Sequence, residues 1–102
     1  MRILVCFDLP VKEPKERKEA AKFRKFLQND GYHMLQYSVY VRLCNGMDSV
    51  QTHKRRIKAE LPSHGSVRLI ILTEKQYENI EILLGEPNYL DSETIKETLS
   101  VF

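Results

Sequence analysis

With 102 residues, 42% hydrophobic and 29% charged, the chain is sized for one domain with a modest core. Its longest apolar runs, Ile3 to Phe7 and Leu69 to Leu72, fall far short of the roughly 20 residues that span a bilayer. The start lacks the apolar region of a signal peptide, so a soluble cytoplasmic protein is expected. The formal net charge is +2, but Glu86, Asp91, Glu93 and Glu97 outnumber Lys96 in residues 86–102. Residues 1–85 therefore carry 15 bases against 10 acids, a surplus of +5 that favours a polyanionic partner. So small a domain buries only about two-thirds of its unfolded surface, which makes a symmetric second copy a reasonable expectation.

In chain order, Arg2 to Phe7 is β-branched and aromatic and stops at Asp8-Leu9-Pro10, as a first strand would. Ala20, Phe23, Phe26 and Leu27 recur at helical spacing from Pro14 to Asp30, with Gly31 as the stop. Tyr32 to Cys44 suits either one strand or a short strand folded onto a longer one, with a bend near Gln36 to Ser38. Asn45-Gly46 makes a turn and Asp48 or Ser49 can cap a second helix. Val50, His53, Ile57 and Leu61 mark its inner face and Pro62 closes it. Val67 to Thr73 is expected as a buried strand, and the alternation of Ile80, Ile82 and Leu84 as a further strand ending at Gly85. The order predicts an α+β, ferredoxin-like βαββαβ sandwich over residues 1–85, with two helices on one face of an antiparallel sheet. An extra C-terminal strand and a polar tail over residues 86–102 complete the expectation. Pairing the extra strand with a second copy would remove an exposed edge.

Candidate chemistry is sparse. Cys6 and Cys44 have no metal-ligand spacing and are expected in the core, and His53 is expected as a packed imidazole. Asp8 stands where the first strand ends, a place that can hold a carboxylate outward, although an Asp there can also serve only a turn. One carboxylate is a poor magnesium site, whereas two copies of Asp8 facing across a twofold axis would supply a pair. Lys18, Lys22 and Lys25 fall opposite Phe23 and Leu27 on the first helix, with Arg17 and Arg24 on a flank. The second helix adds Lys54, Arg55, Arg56 and Lys58, only one of which can lie near its inner face. Unpaired charge of this kind suits a nucleic-acid backbone. Tyr32, Tyr37 and Tyr40 could stack on a nucleotide, but strand alternation assigns at least half of them to core or dimer packing. A small regulatory domain of the same fold, with no nucleic-acid role, fits the pattern too.

The opening Met1-Arg2-Ile3-Leu4-Val5-Cys6-Phe7-Asp8-Leu9-Pro10 is followed by Lys15-Glu16-Arg17-Lys18 and Phe23-Arg24-Lys25-Phe26-Leu27. Next come Gly31-Tyr32, Leu35-Gln36-Tyr37-Ser38-Val39-Tyr40, Arg56-Ile57-Lys58, Gly65-Ser66-Val67-Arg68 and Leu72-Thr73-Glu74-Lys75-Gln76-Tyr77, then Leu84-Gly85-Glu86-Pro87-Asn88. In that order they resemble the CRISPR-associated Cas-two family, particularly members that accompany type II systems. The resemblance covers the chain up to about Gly85. It implies a ferredoxin-like homodimer whose C-terminal strand packs across to the partner's sheet. It also implies association with the larger integrase, Cas-one, in spacer acquisition. Members are described as metal-dependent endonucleases on RNA or on DNA, and also as scaffolds whose catalysis is dispensable, so magnesium is the expected metal and RNA or double-stranded DNA the expected substrate. Asp8 matches the family's proposed metal ligand, Arg17 a basic position at the start of the first helix, and Ser38 a serine whose hydroxyl is structural or catalytic. The expected catalytic set is thus Asp8, Arg17 and Ser38, and the nucleic-acid contacts Arg17, Lys18, Lys22, Lys54, Arg55, Arg56 and Lys58.

Overall fold

In the computed structural model, which describes residues 1–86, apolar alternation in the first segment produces β1, Arg2–Asp8. Its odd residues Ile3, Val5 and Phe7 face one side and are buried. Helix α1, Pro14–Asn29, starts with proline in its first turn and a reciprocal pair of hydrogen bonds between Glu13 and Glu16. It stops where Gly31 takes φ +93°, and a Cβ there would meet the Arg42 side chain at 3.0 Å.

The Tyr32 to Cys44 segment folds back on itself. Strand β2, His33–Gln36, and strand β3, Val39–Leu43, are joined through Tyr37 and Ser38, and Ser38 adopts φ +61°. The expected bend lies in that turn. Helix α2, Met47–Ala59, and strand β4, Ser66–Leu72, complete a sheet in the order β2-β3-β1-β4 with every neighbouring pair antiparallel. This is the α+β, ferredoxin-like arrangement. Ala20, Phe23 and Leu27 of α1 and Val50 and Ile57 of α2 pack with Ile3, Val5, Phe7 and Tyr40 in one core, so both helices cover the same face. Phe7 meets Phe23 edge-on at 5.3 Å and stacks on Tyr40 at 5.7 Å, pairs that add to the area they bury.

Several expectations need correction. Neither Asp48 nor Ser49 caps α2. The helix starts at Met47 behind Gly46, which places both residues inside its first turns. Leu61 lies beyond the end of α2 and is exposed, because the helix stops at Ala59, before Pro62 can close it. Strand β4 is half-buried rather than buried. Val67, Leu69 and Ile71 face the helices, while Arg68 and Ile70 are exposed on the other side. Cys44 is buried but Cys6 is only half-buried, on the helix-free side.

The extra strand expected over Ile80 to Leu84 is not formed within the single chain. Thr73 instead caps a short helix α3, Glu74–Glu78, through a reciprocal Thr73–Gln76 pair, and residues 80–84 follow without strand pairing and with their apolar side chains exposed. Alternation supplies the side chains of a strand but not a partner edge for its backbone. The expected tail lies outside the described residues apart from Glu86. No described helix is long and apolar enough to cross a membrane.

Candidate nucleic-acid site at the end of the first strand

Alternation along β1 places Asp8 on the helix-free face, in line with Arg2, Leu4 and Cys6 and opposite Ser66 of β4. Asp8 is exposed, at the end of a central strand paired on both sides. The turn behind it is tight. Gly65 adopts φ +106°, and a Cβ there would come within 2.8 Å of the Asp8 carbonyl oxygen. Across β1, the Phe7 amide donates to the Ser38 carbonyl at 3.0 Å, which pins the β2–β3 turn beside Asp8. The two family positions Asp8 and Ser38 are therefore neighbours. What the structure assigns to Ser38 is a backbone role in a left-handed turn.

Arg17 is exposed, and its Nη1 donates to the carbonyls of Val11 at 3.1 Å and Lys12 at 2.8 Å. It braces the loop that leaves Asp8. Lys18, Lys22 and Lys25 are exposed on α1, as are Arg55 and Lys58 on α2, while Lys54 is half-buried. These residues line the outer faces of helices that cover the side of the sheet opposite Asp8. The cationic helix faces and the strand-end carboxylate thus belong to opposite sides of the protomer, with Arg17 bracing the loop between them.

Arg56 is less free than its neighbours. Its Nη1 lies 2.8 Å from Oδ1 of Asp30, and Nδ1 of the buried His53 lies 2.7 Å from Oδ2 of the same carboxylate. The Asp30 carbonyl also accepts from Nε of Arg42 at 2.7 Å. Burial works against the Asp30 charge, but the hydrogen bonds from His53 and Arg56, together with their charges, outweigh it and hold the carboxyl below its ordinary value. This junction ties the end of α1 to α2 and β3. No local pattern announces it, since its partners come from distant parts of the chain. His53 is the packed imidazole that the helical pattern suggests.

The other end of this face, opposite α1 and α2, is closed by α3. Arg2, only 2% exposed, lies 4.2 Å from the centre of the Tyr77 ring and hydrogen-bonds both oxygens of Glu74 at 3.0 and 3.2 Å. Helix α3 therefore covers the start of β1 and leaves its end open. The signal for α3, Thr73 followed by Gln76, stands in the sequence as a capping pair.

Among the described residues no three His, Cys, Asp or Glu side chains gather into a metal-sized cluster. Asp8 suits a hard cation that takes one or two carboxylates and completes its shell with water and phosphate oxygens.

The family described as "CRISPR associated protein Cas2" matches residues 1–80. A protein named CRISPR-associated endoribonuclease Cas2 from Acidovorax ebreus (strain TPSY) is 45% identical over 102 residues, all of both chains. Another of that name, from Ligilactobacillus salivarius (strain UCC118), is 52% identical over 86 residues, covering 84% of this chain and 85% of its own. The crystal structure of Streptococcus pyogenes Cas2 at pH 6.5 superposes with a TM-score of 0.61 at 25% identity, over 81% of this chain and 99% of that one. Matched along most of its length by this family and by these relatives, the chain belongs to the Cas2 family of CRISPR-associated proteins.

Proposed function

We propose that the chain is a metal-dependent phosphodiesterase that cleaves RNA as a homodimer, with one Asp8 from each protomer holding a shared magnesium ion. The observation that carries this reading is the exposure of Asp8 on the helix-free face, at the end of a central strand. The relatives named as endoribonucleases support the substrate. Exposed Leu43 and Ile70 on the same face, with exposed Ile80, Ile82, Leu83 and Leu84 after α3, offer apolar surface for a second copy. When bound, magnesium supplies a polarised phosphoryl oxygen and a more acidic water. Asp8 would anchor that ion, and Arg17 would lend positive charge to the scissile phosphate from the first turn of α1, beside the loop that leaves Asp8. Ser38 holds the turn through its backbone.

Cleavage of end-labelled single-stranded RNA by wild type and Asp8→Ala, with and without chelator, tests the site. Loss of cleavage in the variant and with chelator is expected, and equal cleavage by both proteins would reject it. Ile70→Asp is expected to yield a monomer in sedimentation. A dimer that survives the change would remove the shared-ion geometry.

A second role is compatible with the first, because its residues lie on the opposite side of the protomer. Lys18, Lys22, Lys54, Arg55 and Lys58 would grip duplex DNA while the chain acts as a scaffold for the Cas-one integrase in spacer acquisition, in the cytoplasm. Lys54→Glu, Arg55→Glu and Lys58→Glu together should weaken duplex binding and flatten its salt dependence by roughly 0.9 logarithmic units for each phosphate that is no longer neutralised. An unchanged slope would count against it. Arg56 is the poorer choice for this test, since its reversal would also break the Asp30 junction.

A further inference from the structure

Of the three tyrosines between residues 32 and 40, two are core residues. Tyr32 and Tyr40 are 4% and 2% exposed, whereas Tyr37 is 76% exposed. Tyr37 occupies the turn before Ser38, where φ of +61° redirects the chain. The Phe7–Ser38 hydrogen bond fixes that turn against β1. The β1–β3 ladder ends with Cys6 opposite Val39, so Tyr37 lies just beyond it, at the end of the sheet where β1 finishes, and its ring is on the side covered by α1.

A cation braces the ring. The Arg24 guanidinium carbon lies 5.4 Å from the centre of the Tyr37 ring and 5.7 Å from that of Phe7, and Nη2 donates to the Tyr37 hydroxyl at 3.3 Å. Arg24 thus reaches both the buried Phe7 ring and the exposed Tyr37 ring, most of whose surface stays open to solvent. A turn at a sheet end needs no large aromatic residue for its own stability. An exposed ring with restricted orientation and an adjacent guanidinium is what base stacking on single-stranded nucleic acid uses, because every base has a flat face and the phosphate needs a counter-charge.

We infer that Tyr37, braced by Arg24, is a stacking platform for an unpaired nucleobase of a single strand that passes around the end of the sheet carrying Asp8. The inference rests on the proposed phosphodiesterase role for its ligand. It adds a contact that distinguishes single strands from duplexes, whose bases are already stacked.

The chain contains no tryptophan, so Tyr37→Trp places a single reporter at the platform. Titration with a single-stranded RNA oligonucleotide should quench its emission, while an abasic oligonucleotide of the same length and charge should not. In otherwise native protein, Tyr37→Ala should weaken binding of the base-containing strand on the order of tenfold and leave the abasic strand unchanged. Tyr37→Phe should retain binding. Equal quenching by both strands, or unchanged affinity in Tyr37→Ala, would overturn the platform. So would Trp emission that shifts with protein concentration alone, which would assign the ring to a second copy of the chain. Asp8→Asn separates this idea from the catalytic one: quenching should persist in that variant while cleavage is lost. Persistent cleavage with normal quenching would sink the catalytic site and leave the platform standing.

Discussion

The two faces of the sheet are built from the same strands and solve different problems. On one, Ile3, Val5, Phe7 and Tyr40 are sealed by Phe23, Leu27, Val50 and Ile57, and the aromatic rings interlock. On the other, Arg2 is sealed at one end by Glu74 and Tyr77, Ile70 and Leu43 stay exposed, and Asp8 stands open at the far end. A face completed within the chain carries stability. The face left incomplete carries the candidate chemistry and the apolar surface that a second copy would cover.

The contrast can be broken most sharply at the sealed core. Phe23→Ala removes a ring that is 1% exposed and should cost about 3–5 kcal/mol in denaturant unfolding. A loss comparable to that of a surface substitution would mean that the helix-covered face is not the main source of stability. Glu74→Ala should cost less, about 1–2 kcal/mol, because Arg2 is buried but Glu74 is 40% exposed and water screens part of the pair. The same assay checks it, and a neutral result would show that α3 is held by other interactions.

The Asp30 junction gives a pH test. Its carboxyl is held below the ordinary value of 3.8, so its contribution is complete above that value and is lost as pH falls through the lower, folded value. Wild type should therefore lose its stability advantage over Asp30→Asn in acid below about pH 4. Urea midpoints measured from neutral to strongly acidic pH would show the two curves converging. Parallel curves would remove the charge on Asp30 as the cause. The smallest intrinsic effect is expected on the open face. Ile70→Ser should shift the unfolding free energy of the monomer by no more than about 0.5 kcal/mol, while making it independent of protein concentration. A large loss in dilute protein would show that Ile70 already packs within its own chain.

The helix-covered half of the molecule is legible in the sequence because its signals are local and periodic. Ala20, Phe23 and Leu27 are spaced for one helical face, Gly31 marks its end, and Ile3, Val5 and Phe7 alternate in β1. The strand expected over Ile80 to Leu84 is not formed within the single chain, for the complementary reason. Alternating side chains describe a pleated surface, but a strand also needs an edge to bond, and the Thr73–Gln76 pair starts a helix just before it. Asp8 can be picked out as a strand-end carboxylate. The partition between Tyr32, Tyr37 and Tyr40 cannot, since it depends on which way a left-handed Ser38 turns the chain.

From residue order alone came the βαββαβ layout, the basic helix faces and the strand-end acid, because hydrophobic periodicity, proline and glycine punctuation, and charge spacing act over a few neighbours. Tertiary structure decided the rest. It joined Asp30 to His53, Arg56 and Arg42, buried Arg2 beneath Tyr77, set the lysines across the sheet from Asp8 and left Tyr37 exposed against Arg24. Each of these depends on strand order and helix docking between distant segments, for which no local pattern carries the distance.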